Sequence, residues 1–435
     1  MKHIIPAILI SAMVLSFTAC SKKAAVAGGF DWPQWRGPDH NGQSRETDWN
    51  PAAIASPKVL WTADVGVGYS NVVIQRGRLY AMGLAKGGFT VSCLDAATGR
   101  IIWQQPFASV SKAGFPQATP AVDGDSLFIL TTVEGYLFCL DSRNGQQKWQ
   151  KDIVRDYGAV KPFYGFAGSP IVVGDLVVLT ANTAGMAVKR DTGKLVWTSE
   201  KPPQDFKSTD RSTSTGTAYS APVLYEDGGR RLAIVASWRG VTSVDVRTGE
   251  PAWQFGWEMD PGGSIVDPVL AGDLICVAGA WDYSGFLLRM SGTGPRLIWR
   301  TADLFCNGAP PVIIEGNIYT MNMGPSGGTL VAPTTLRCLD LGTGRLMWDV
   351  PLGPNGQNKC FSLTAANGTL VVLDDQGTLY TAQASPEGFK EIAHCDVLQG
   401  ASVRLRLFWT PPVLCNAKIY CRNTRGDLVC IDVSK

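Results

Sequence analysis

Histidine is scarce in this chain of 435 residues, which contains only three. Two of them, His40 and His394, lie far apart in the sequence, and the third is at position 3. The sequence therefore offers few histidines for a metal site or a catalytic triad. Cysteine is more abundant, with 11 residues, but no C-x-x-C spacing occurs and no two cysteines are adjacent. The usual thiol-redox and zinc signatures are thus absent from the sequence.

Neither sign of charge is in large excess, because the chain has 39 lysines and arginines and 37 aspartates and glutamates, which give a formal net charge of +2. No run of basic residues stands out along the chain. Since proteins that bind nucleic acid usually carry a basic patch or stripe, this composition argues against a nucleic-acid partner. We expect membrane contact to come from an attached lipid rather than from a charged face.

Long amphipathic helices are missing as well, because no window shows a sustained helical period of apolar residues. The chain has short stretches rich in Val, Ile, Leu, Phe and Tyr that are broken by Gly-Asp, Glu-Gly or Asp-Gln-Gly turns. An example is ATPAVDGDSLFILTTVEGYLFCLD (118–141). This pattern predicts β-strands joined by hairpins, and hence an all-β fold.

One pattern is present six times. The stretch CLDAATGRIIW (93–103) has close or looser counterparts at 139–149, 187–197, 243–253, 288–299 and 338–348. The tryptophans that end these units are 46 to 56 residues apart. A period of ~40–50 residues with four strands per unit indicates the blades of a β-propeller.

The repeated residues have predictable structural roles. The aspartate lies four residues before the turn glycine, where its carboxylate can accept backbone N–H groups, and the glycine supplies a positive φ at the hairpin. The tryptophan then lies on the fourth strand, where its ring can wedge between neighbouring blades. The predicted blade-docking residues are Trp61, Trp103, Trp149, Trp197, Trp253, Trp299 and Trp348.

Two further units complete the count of blades. A seventh unit (361–397) carries Ile392 and His394 where a docking tryptophan is expected. An eighth unit (409–435) contains only three strands, and an unpaired strand edge is a liability that radial closure removes.

We predict that the missing fourth strand comes from the other end of the ring. Residues 58–66 form a strand-like stretch that contains Trp61 and has no blade before it. Pairing of this strand with the eighth unit gives an eight-bladed β-propeller of four-stranded antiparallel blades over residues 58–435, as a single domain.

The start of the chain has the form of a secretory signal. An apolar stretch over residues 4–17 follows Lys2 and is too short for a comfortable membrane span. FTAC followed by SKK resembles a bacterial lipobox, which implies a signal peptide over 1–19, lipidation of Cys20 and a flexible tether over 20–30. By the same resemblance, Ser21 favours the outer membrane, facing the periplasm. Ordinary cleavage nearby, or a tight anchor, is the alternative.

The remaining cysteines have positions typical of core residues. Four cysteines occupy the same position in the third strand of their blades: Cys93, Cys139, Cys338 and Cys430. Equivalent positions in different blades are too far apart for a disulfide, so small buried side chains are expected. Cys415 and Cys421 are close in the eighth unit, and a bridge between them is left open.

The repeat resembles that of the pyrroloquinoline quinone-like (PQQ-like) propellers. The pattern SP-x-V…LY…CLD…TG-x-x-x-W carries this resemblance over about residues 58–435. The stretch DWPQWRGPDHNGQS (31–44) is similar to an N-terminal stretch of many secreted members. We interpret residues 31–57 as a clamp segment. The side chains expected to pack across one face of the ring, as a plug or clamp, are Trp32, Trp35 and Arg36.

The resemblance implies two different functions. Quinoprotein alcohol dehydrogenases hold quinone and calcium in the channel, with a pair of adjacent cysteines, a Glu/Asn calcium pair and an aspartate base. This sequence has no adjacent cysteines and is much shorter than those enzymes. BamB-like lipoproteins of the outer-membrane barrel assembly machinery are eight-bladed and bind protein partners without catalysis. The lipobox, length and blade number match this second group, whereas the 31–44 segment and the cysteine content do not.

A channel ligand would contact side chains just before or at the start of each inner strand. The candidates for lining the channel are Tyr69, Gln117, Tyr164, Tyr219, Asp267, Asn307, Phe361 and Trp409. Aromatic and amide groups suit a sugar or a flat ring, but they equally suit filling the hole, which we favour because small propellers usually fill their centre with side chains. The insertion at 198–219 is expected to be a surface loop that can form part of a partner face.

The sequence therefore predicts a lipid-anchored, exported propeller that binds protein partners in the cell envelope, without catalysis, cofactor or metal. The alternative is a quinone-dependent oxidoreductase of alcohols or sugars, with pyrroloquinoline quinone and calcium as its cofactors. A third possibility is another activity of the channel on a small molecule or sugar.

Overall fold

The structure is a computed structural model that describes residues 30–435 with gaps. The residues left out after position 29 are 86–87, 108–114, 163, 202–218, 238–239, 257–265, 280–283, 292–293, 307–308, 323–333, 354–359 and 398–407. The predicted lipidation site Cys20 and the channel candidate Asn307 lie outside the described residues. Within the described ranges, no helix is long and apolar enough to cross a membrane.

The described chain forms eight sheets, of which seven have four antiparallel strands and one has five, because the short strand Gln43–Ser44 adds in parallel to a four-stranded antiparallel blade. The first strands of neighbouring sheets contact each other around a centre. The helical elements are a 3-10 helix (Pro51–Ala55) and α1 (Ile153–Tyr157). The predicted all-β fold with eight blades is thus confirmed. Two strands precede the first complete blade, and they are β1 (Gln43–Ser44) and β2 (Lys58–Asp64).

Blades 1 to 4 follow in chain order, each running from its inner to its outer strand. Blade 1 comprises β3 (Val73–Gln75), β4 (Arg78–Ala85), β5 (Gly88–Asp95) and β6 (Ile101–Phe107). Blade 2 comprises β7 (Ala121–Asp123), β8 (Ser126–Leu130), β9 (Tyr136–Asp141) and β10 (Gln147–Asp152). Blade 3 comprises β11 (Ile171–Val173), β12 (Leu176–Leu179), β13 (Met186–Lys189) and β14 (Leu195–Thr198). Blade 4 comprises β15 (Val223–Asp227), β16 (Arg230–Ser237), β17 (Gly240–Asp245) and β18 (Pro251–Gly256).

Blades 5 to 8 complete the ring. Blade 5 comprises β19 (Val269–Ala271), β20 (Leu274–Val277), β21 (Gly285–Arg289) and β22 (Arg296–Thr301). Blade 6 comprises β23 (Val312–Ile314), β24 (Asn317–Asn322), β25 (Thr335–Asp340) and β26 (Leu346–Pro351). Blade 7 comprises β27 (Phe361–Ala366), β28 (Thr369–Asp374), β29 (Thr378–Gln383) and β30 (Lys390–Asp396). Blade 8 comprises β31 (Val413–Leu414), β32 (Lys418–Arg422) and β33 (Asp427–Asp432), with β2 as its outer strand.

The ring is closed by β2, which pairs antiparallel with β33 and places Lys58 opposite Asp432 and Asp64 opposite Asp427. The prediction that strand 58–66 completes the last blade is therefore confirmed. The strand ends at Asp64 because the chain turns at Gly66, which has a φ of 81° and donates its N–H to the Asp64 carboxylate at 2.8 Å. Closure joins the two ends of the propeller through a full strand ladder and leaves blade 8 with the same four strands as the others.

The repeated tryptophans reach the next blade. Their indole N–H groups donate to backbone carbonyls one blade further on, in the pairs Trp61–Ala96, Trp103–Ser142, Trp149–Arg190, Trp197–Val246, Trp299–Leu341 and Trp348–Ser385. The turn glycine of the next blade lies under the ring. A Cβ at Gly145, for example, would be 2.6 Å from the Trp103 ring, and its φ is 76°. Glycine is needed here both for its conformation and for its small size.

The seam between blades 4 and 5 departs from this pattern. Trp253 has a buried indole N–H without an acceptor among the described residues. The facing turn in blade 5 has one extra residue between Gly294 and Trp299, and a Cβ at Gly294 would be 3.8 Å from the nearest Trp253 atom. The irregular spacing in the sequence therefore coincides with a seam in which the described residues do not make the usual tryptophan–turn contact.

The seam between blades 7 and 8 is filled from outside the two blades. Here β30 has no tryptophan, and the 3-10 helix Pro51–Ala55 packs against β29 and β30. Trp49 and Ile54 are buried in one hydrophobic cluster with Cys395 and Phe408. The backbone N–H of Asn50 donates to the Val433 carbonyl at 2.7 Å. The clamp segment thus supplies the apolar side chains that the outer strand of blade 7 lacks.

Candidate functional site

The centre of the ring contains residues 31–46, which we call the channel segment. Trp32 and Ile74 of β3 exchange two backbone hydrogen bonds of 2.8 Å, as in an antiparallel ladder. Val122 of β7 donates its N–H to the Pro33 carbonyl, also at 2.8 Å. The inner strands have an open edge toward the channel. These bonds therefore pair backbone N–H and C=O groups that would otherwise need water as a partner.

The same segment then crosses to the other side of the ring. Its strand β1 runs parallel to β27 of blade 7, and Ala365 donates its N–H to the Gly42 carbonyl at 3.0 Å. Gln43 donates its side-chain amide to the Ile313 carbonyl of blade 6 at 3.0 Å. The Glu46 carboxylate accepts backbone N–H groups of the blade 8 turn, including that of Ala417 at 2.6 Å. The segment is therefore bonded to blades 1, 2, 6, 7 and 8.

Two buried charged side chains lie where the segment crosses. The Arg36 guanidinium donates to the backbone carbonyls of His40 at 3.1 Å and Pro311 at 2.7 Å. The Asp267 carboxylate, just before β19, accepts the Trp35 indole N–H at 2.5 Å and the Ala221 backbone N–H at 2.6 Å. Two of these bonds, from Arg36 to Pro311 and from Trp35 to Asp267, tie the segment to blades 6 and 5, and the bond from Ala221 fixes the carboxylate to blade 4.

Burial dominates the electrostatics of this pair. It lowers the pKa of Arg36 to about 10, although the nearby carboxylate of Asp267 opposes that shift. It also raises the pKa of Asp267, against the opposing effects of Arg36 and of the bonds from Trp35 and Ala221. Each charge thus offsets part of the desolvation of the other, and both have hydrogen-bond partners.

His40 makes the stability of this arrangement depend on pH. Burial, with the charge of Arg36, lowers the pKa of His40 from 6.5 to about 4, while Asp39 acts weakly in the opposite direction. The unfolded chain therefore binds a proton that the folded chain does not, and stability present above pH 6.5 is lost as the pH falls toward 4. We expect a loss of about 3 kcal/mol from this residue.

The measurement is urea unfolding of the wild type and of His40→Asn at several pH values from 7 to 4. Asparagine tolerates the φ of 54° at this position. The variant should lose less stability on acidification than the wild type. Equal losses would mean that His40 is not the group that titrates.

Six of the predicted channel candidates lie at one end of the ring, which we call the mouth: Tyr69, Gln117, Tyr164, Tyr219, Asp267 and Trp409. They lie in connections that lead from the outer strand of one blade to the inner strand of the next, and all such connections share one end. Tyr69 stacks on Trp409 with ring centroids 5.4 Å apart and an interplanar angle of 27°. Phe115 meets Tyr69 edge-on at 5.9 Å. Sequence reasoning missed Phe115, although it lies two residues before the predicted Gln117.

A second aromatic pair lies further around the mouth. The rings of Tyr164 and Tyr219 are 5.9 Å apart, and the Tyr164 backbone N–H donates to the Tyr219 hydroxyl at 3.3 Å. Gln117 donates its side-chain amide to the Tyr164 carbonyl at 3.2 Å. We call Tyr69, Phe115, Tyr164, Tyr219 and Trp409 together the aromatic arc.

Two other candidates do not present a surface to a ligand. Phe361 is fully buried in the core shared by blades 5 to 7, because its side chain points away from the channel into the packed sheets. Asp267 is 3% exposed beneath Trp35. Among the described residues, the aromatic arc lies on the part of the mouth formed by blades 8 and 1 to 4.

The described residues do not fit a quinone–calcium centre. Within the ranges that the structure covers, no three His, Cys, Asp or Glu side chains are grouped as a metal site. Asp267 is a carboxylate at the ring centre, and both of its oxygens already accept N–H groups of this chain. The Arg36 guanidinium is likewise bonded to backbone carbonyls rather than directed at open space.

Four-stranded blades with a shared Asp–Gly–Trp repeat and an N-terminal closing strand define this protein as a PQQ-like β-propeller. The profile of the family described as "Outer membrane protein assembly factor BamB" matches residues 52–301, which is more than half of the chain. The chain belongs to this family.

Individual relatives are more distant. The outer membrane protein assembly factor BamB of Burkholderia pseudomallei is 26% identical over 286 residues, which are 63% of this chain and 64% of that protein. BamB from Moraxella catarrhalis is similar in structure, with a TM-score of 0.60 at 16% identity, covering 87% of this chain and 98% of that one. The quinohemoprotein alcohol dehydrogenase from Comamonas testosteroni gives a TM-score of 0.68 at 13% identity, covering 93% and 81%. The two structural similarities establish the fold alone.

Proposed function

We propose that this chain is a non-catalytic propeller of the cell envelope that binds a protein partner. The observation that carries the proposal is the channel segment, which bonds to the inner strands of blades 1, 2 and 7 and places Trp35 and Arg36 at the ring centre. A centre occupied by the chain's own residues leaves the outer surface for binding. The name of the Burkholderia pseudomallei relative, an outer membrane protein assembly factor, supports the same function.

The outer rim offers a surface suited to a protein. Exposed aliphatic side chains lie on outer strands, and β6 carries two neighbouring ones, Ile101 at 50% and Ile102 at 38% exposure. Val59 occupies the position equivalent to Ile101 on β2 of the adjacent blade 8 and is 47% exposed. We call these three residues the rim patch. Exposed apolar side chains beside an open strand edge suit a partner that adds a strand there.

Photo-crosslinking in the native envelope tests the rim patch. A photoreactive amino acid at position 102 should give one discrete protein adduct, because the partner lies against β6. The matched control is position 196, since Val196 also precedes a docking tryptophan on an outer strand and is also 38% exposed. The adduct at 102 should disappear in Ile101→Glu. Equal adducts from both positions, or none from 102, would contradict the proposal.

A quinone-dependent oxidoreductase is the alternative, and a binding experiment separates the two. Pyrroloquinoline quinone and calcium are added to residues 30–435, and thermal stability is followed. A ligand at a hundred times its dissociation constant stabilises a protein by ~2.7 kcal/mol. We expect no saturable stabilisation, because the described residues at the ring centre are bonded to each other. Saturable stabilisation would favour the oxidoreductase.

The lipid anchor is the second part of the proposal. Cys20 lies outside the described residues, and its assignment rests on the lipobox-like sequence FTAC before SKK. Cys20→Ala should abolish incorporation of labelled fatty acid and release the protein from the membrane fraction, because the mature chain is close to neutral and has no basic run that would hold it there. Unchanged labelling or membrane retention in the variant would contradict an anchor at Cys20.

A further inference from the structure

Exposed aromatic side chains are concentrated at the mouth of the ring. Among the described residues, the aromatic side chains that stand out as exposed are Phe30, Phe115, Tyr164 and Trp409. Three of these four belong to the aromatic arc, with exposures of 45% for Phe115, 59% for Tyr164 and 36% for Trp409. Large rings are usually buried, so their grouping on one surface indicates a binding site.

The arc consists of two stacking platforms. Trp409, Tyr69 and Phe115 form the first, in which the near-parallel Trp409–Tyr69 pair is flanked by the edge-on Phe115 ring. The exposed ring of Tyr164 forms the second and is supported by the buried ring of Tyr219, which is tilted against it by 57°. Each platform joins side chains from different blades, so each is held by the rigid ring rather than by one loop.

Pro116 and Gln117 connect the two platforms. The Pro116 carbonyl accepts the backbone N–H groups of Tyr69 at 2.7 Å and Ser70 at 3.0 Å. Gln117 donates its side-chain amide to the carbonyl of Tyr164 at 3.2 Å. The position of one platform is therefore coupled to that of the other, and an amide side chain lies between them.

We propose that the aromatic arc is a binding site for an uncharged oligosaccharide. The apolar faces of sugar rings stack on Tyr and Trp rings, while amide and phenol groups hydrogen-bond the hydroxyls around each sugar. The five rings and Gln117 include no carboxylate, ammonium or guanidinium group, which suits a neutral ligand. Two separate platforms suit a chain of at least two sugar units. This site is distinct from the rim patch.

The binding test uses purified residues 30–435 and isothermal titration calorimetry. The probes are neutral oligosaccharides derived from cellulose, chitin and starch. We expect saturable binding of at least one of them, weakened about tenfold or more by Trp409→Ala and by Tyr164→Ala, which corresponds to about 1.4 kcal/mol per variant. Both side chains are exposed, so melting temperatures should stay close to that of the wild type.

The control is Ile102→Glu, which changes the rim patch and should leave sugar affinity unchanged. Absence of saturable binding by all three probe classes would overturn the proposal, as would binding that Trp409→Ala and Tyr164→Ala leave intact. Pyrroloquinoline quinone should not displace a sugar bound at the arc, so its addition should leave the measured sugar affinity unchanged. Failure of the sugar site would not alter the crosslink expected from position 102, so the two proposals are tested separately.

Discussion

Trp49→Ala should lower the free energy of unfolding by about 3–5 kcal/mol, the range for a fully truncated buried tryptophan. Trp49 is 4% exposed and packs with Ile54, Cys395 and Phe408 at the seam between blades 7 and 8. Because β30 has no tryptophan of its own, the cavity would open directly at the seam. Denaturant unfolding of residues 30–435, monitored by circular dichroism, measures the change.

The matched control is Trp409→Ala, which removes the same side chain from a position that is 36% exposed. It should cost less, because a side chain that is already partly exposed loses less buried apolar surface when it is truncated. A similar cost for the two variants, or a cost below about 1 kcal/mol for Trp49→Ala, would mean that the clamp segment does not stabilise the seam.

Asp267→Ala has the second large expected effect, a loss of about 3–5 kcal/mol. The substitution leaves the N–H groups of Trp35 and Ala221 without their acceptor and removes the negative charge that offsets buried Arg36. Breaking such an arrangement from one side is costly because the remaining charge stays buried. Equilibrium unfolding in urea at neutral pH gives the value.

Two further variants divide this effect into its parts. Asp267→Asn keeps one acceptor oxygen but loses the charge, and it should cost about 2 kcal/mol. Trp35→Phe removes one hydrogen bond to the carboxylate and should cost about 1–3 kcal/mol. If Asp267→Ala is no more harmful than Trp35→Phe, the carboxylate does not hold the channel segment in the way described.

The fold could be predicted to a large extent because its determinants are local and repeated. The turn glycine, the aspartate before it and the tryptophan after it recur within about a dozen residues, so the blade pattern is visible without an alignment. Closure by β2 followed from an incomplete eighth unit and a spare strand containing Trp61. The extra residue before Trp299 is visible in the sequence, but only the structure links it to the irregular seam between blades 4 and 5.

The candidate site could be predicted only in part, because it depends on contacts between distant residues. Trp35 and Asp267 are 232 positions apart, and nothing near either residue indicates the bond between them. The aromatic candidates were chosen by their sequence position just before or at the start of each inner strand. This criterion included Phe361, although its side chain points into the core. The filling of the last seam by Trp49 was missed because that residue lies outside the repeats.

Hydrogen exchange at single amides tests the central claim that the chain's own segment occupies the channel. Ile74 and Val122 donate toward the channel to the carbonyls of Trp32 and Pro33. Val172 is the equivalent residue of β11, and the channel segment makes no hydrogen bond to it in the described structure. We predict that Ile74 and Val122 exchange only near the free energy of global unfolding, and that Val172 exchanges much faster. Fast exchange at all three amides would contradict an occupied channel and, with it, the main support for a non-catalytic propeller.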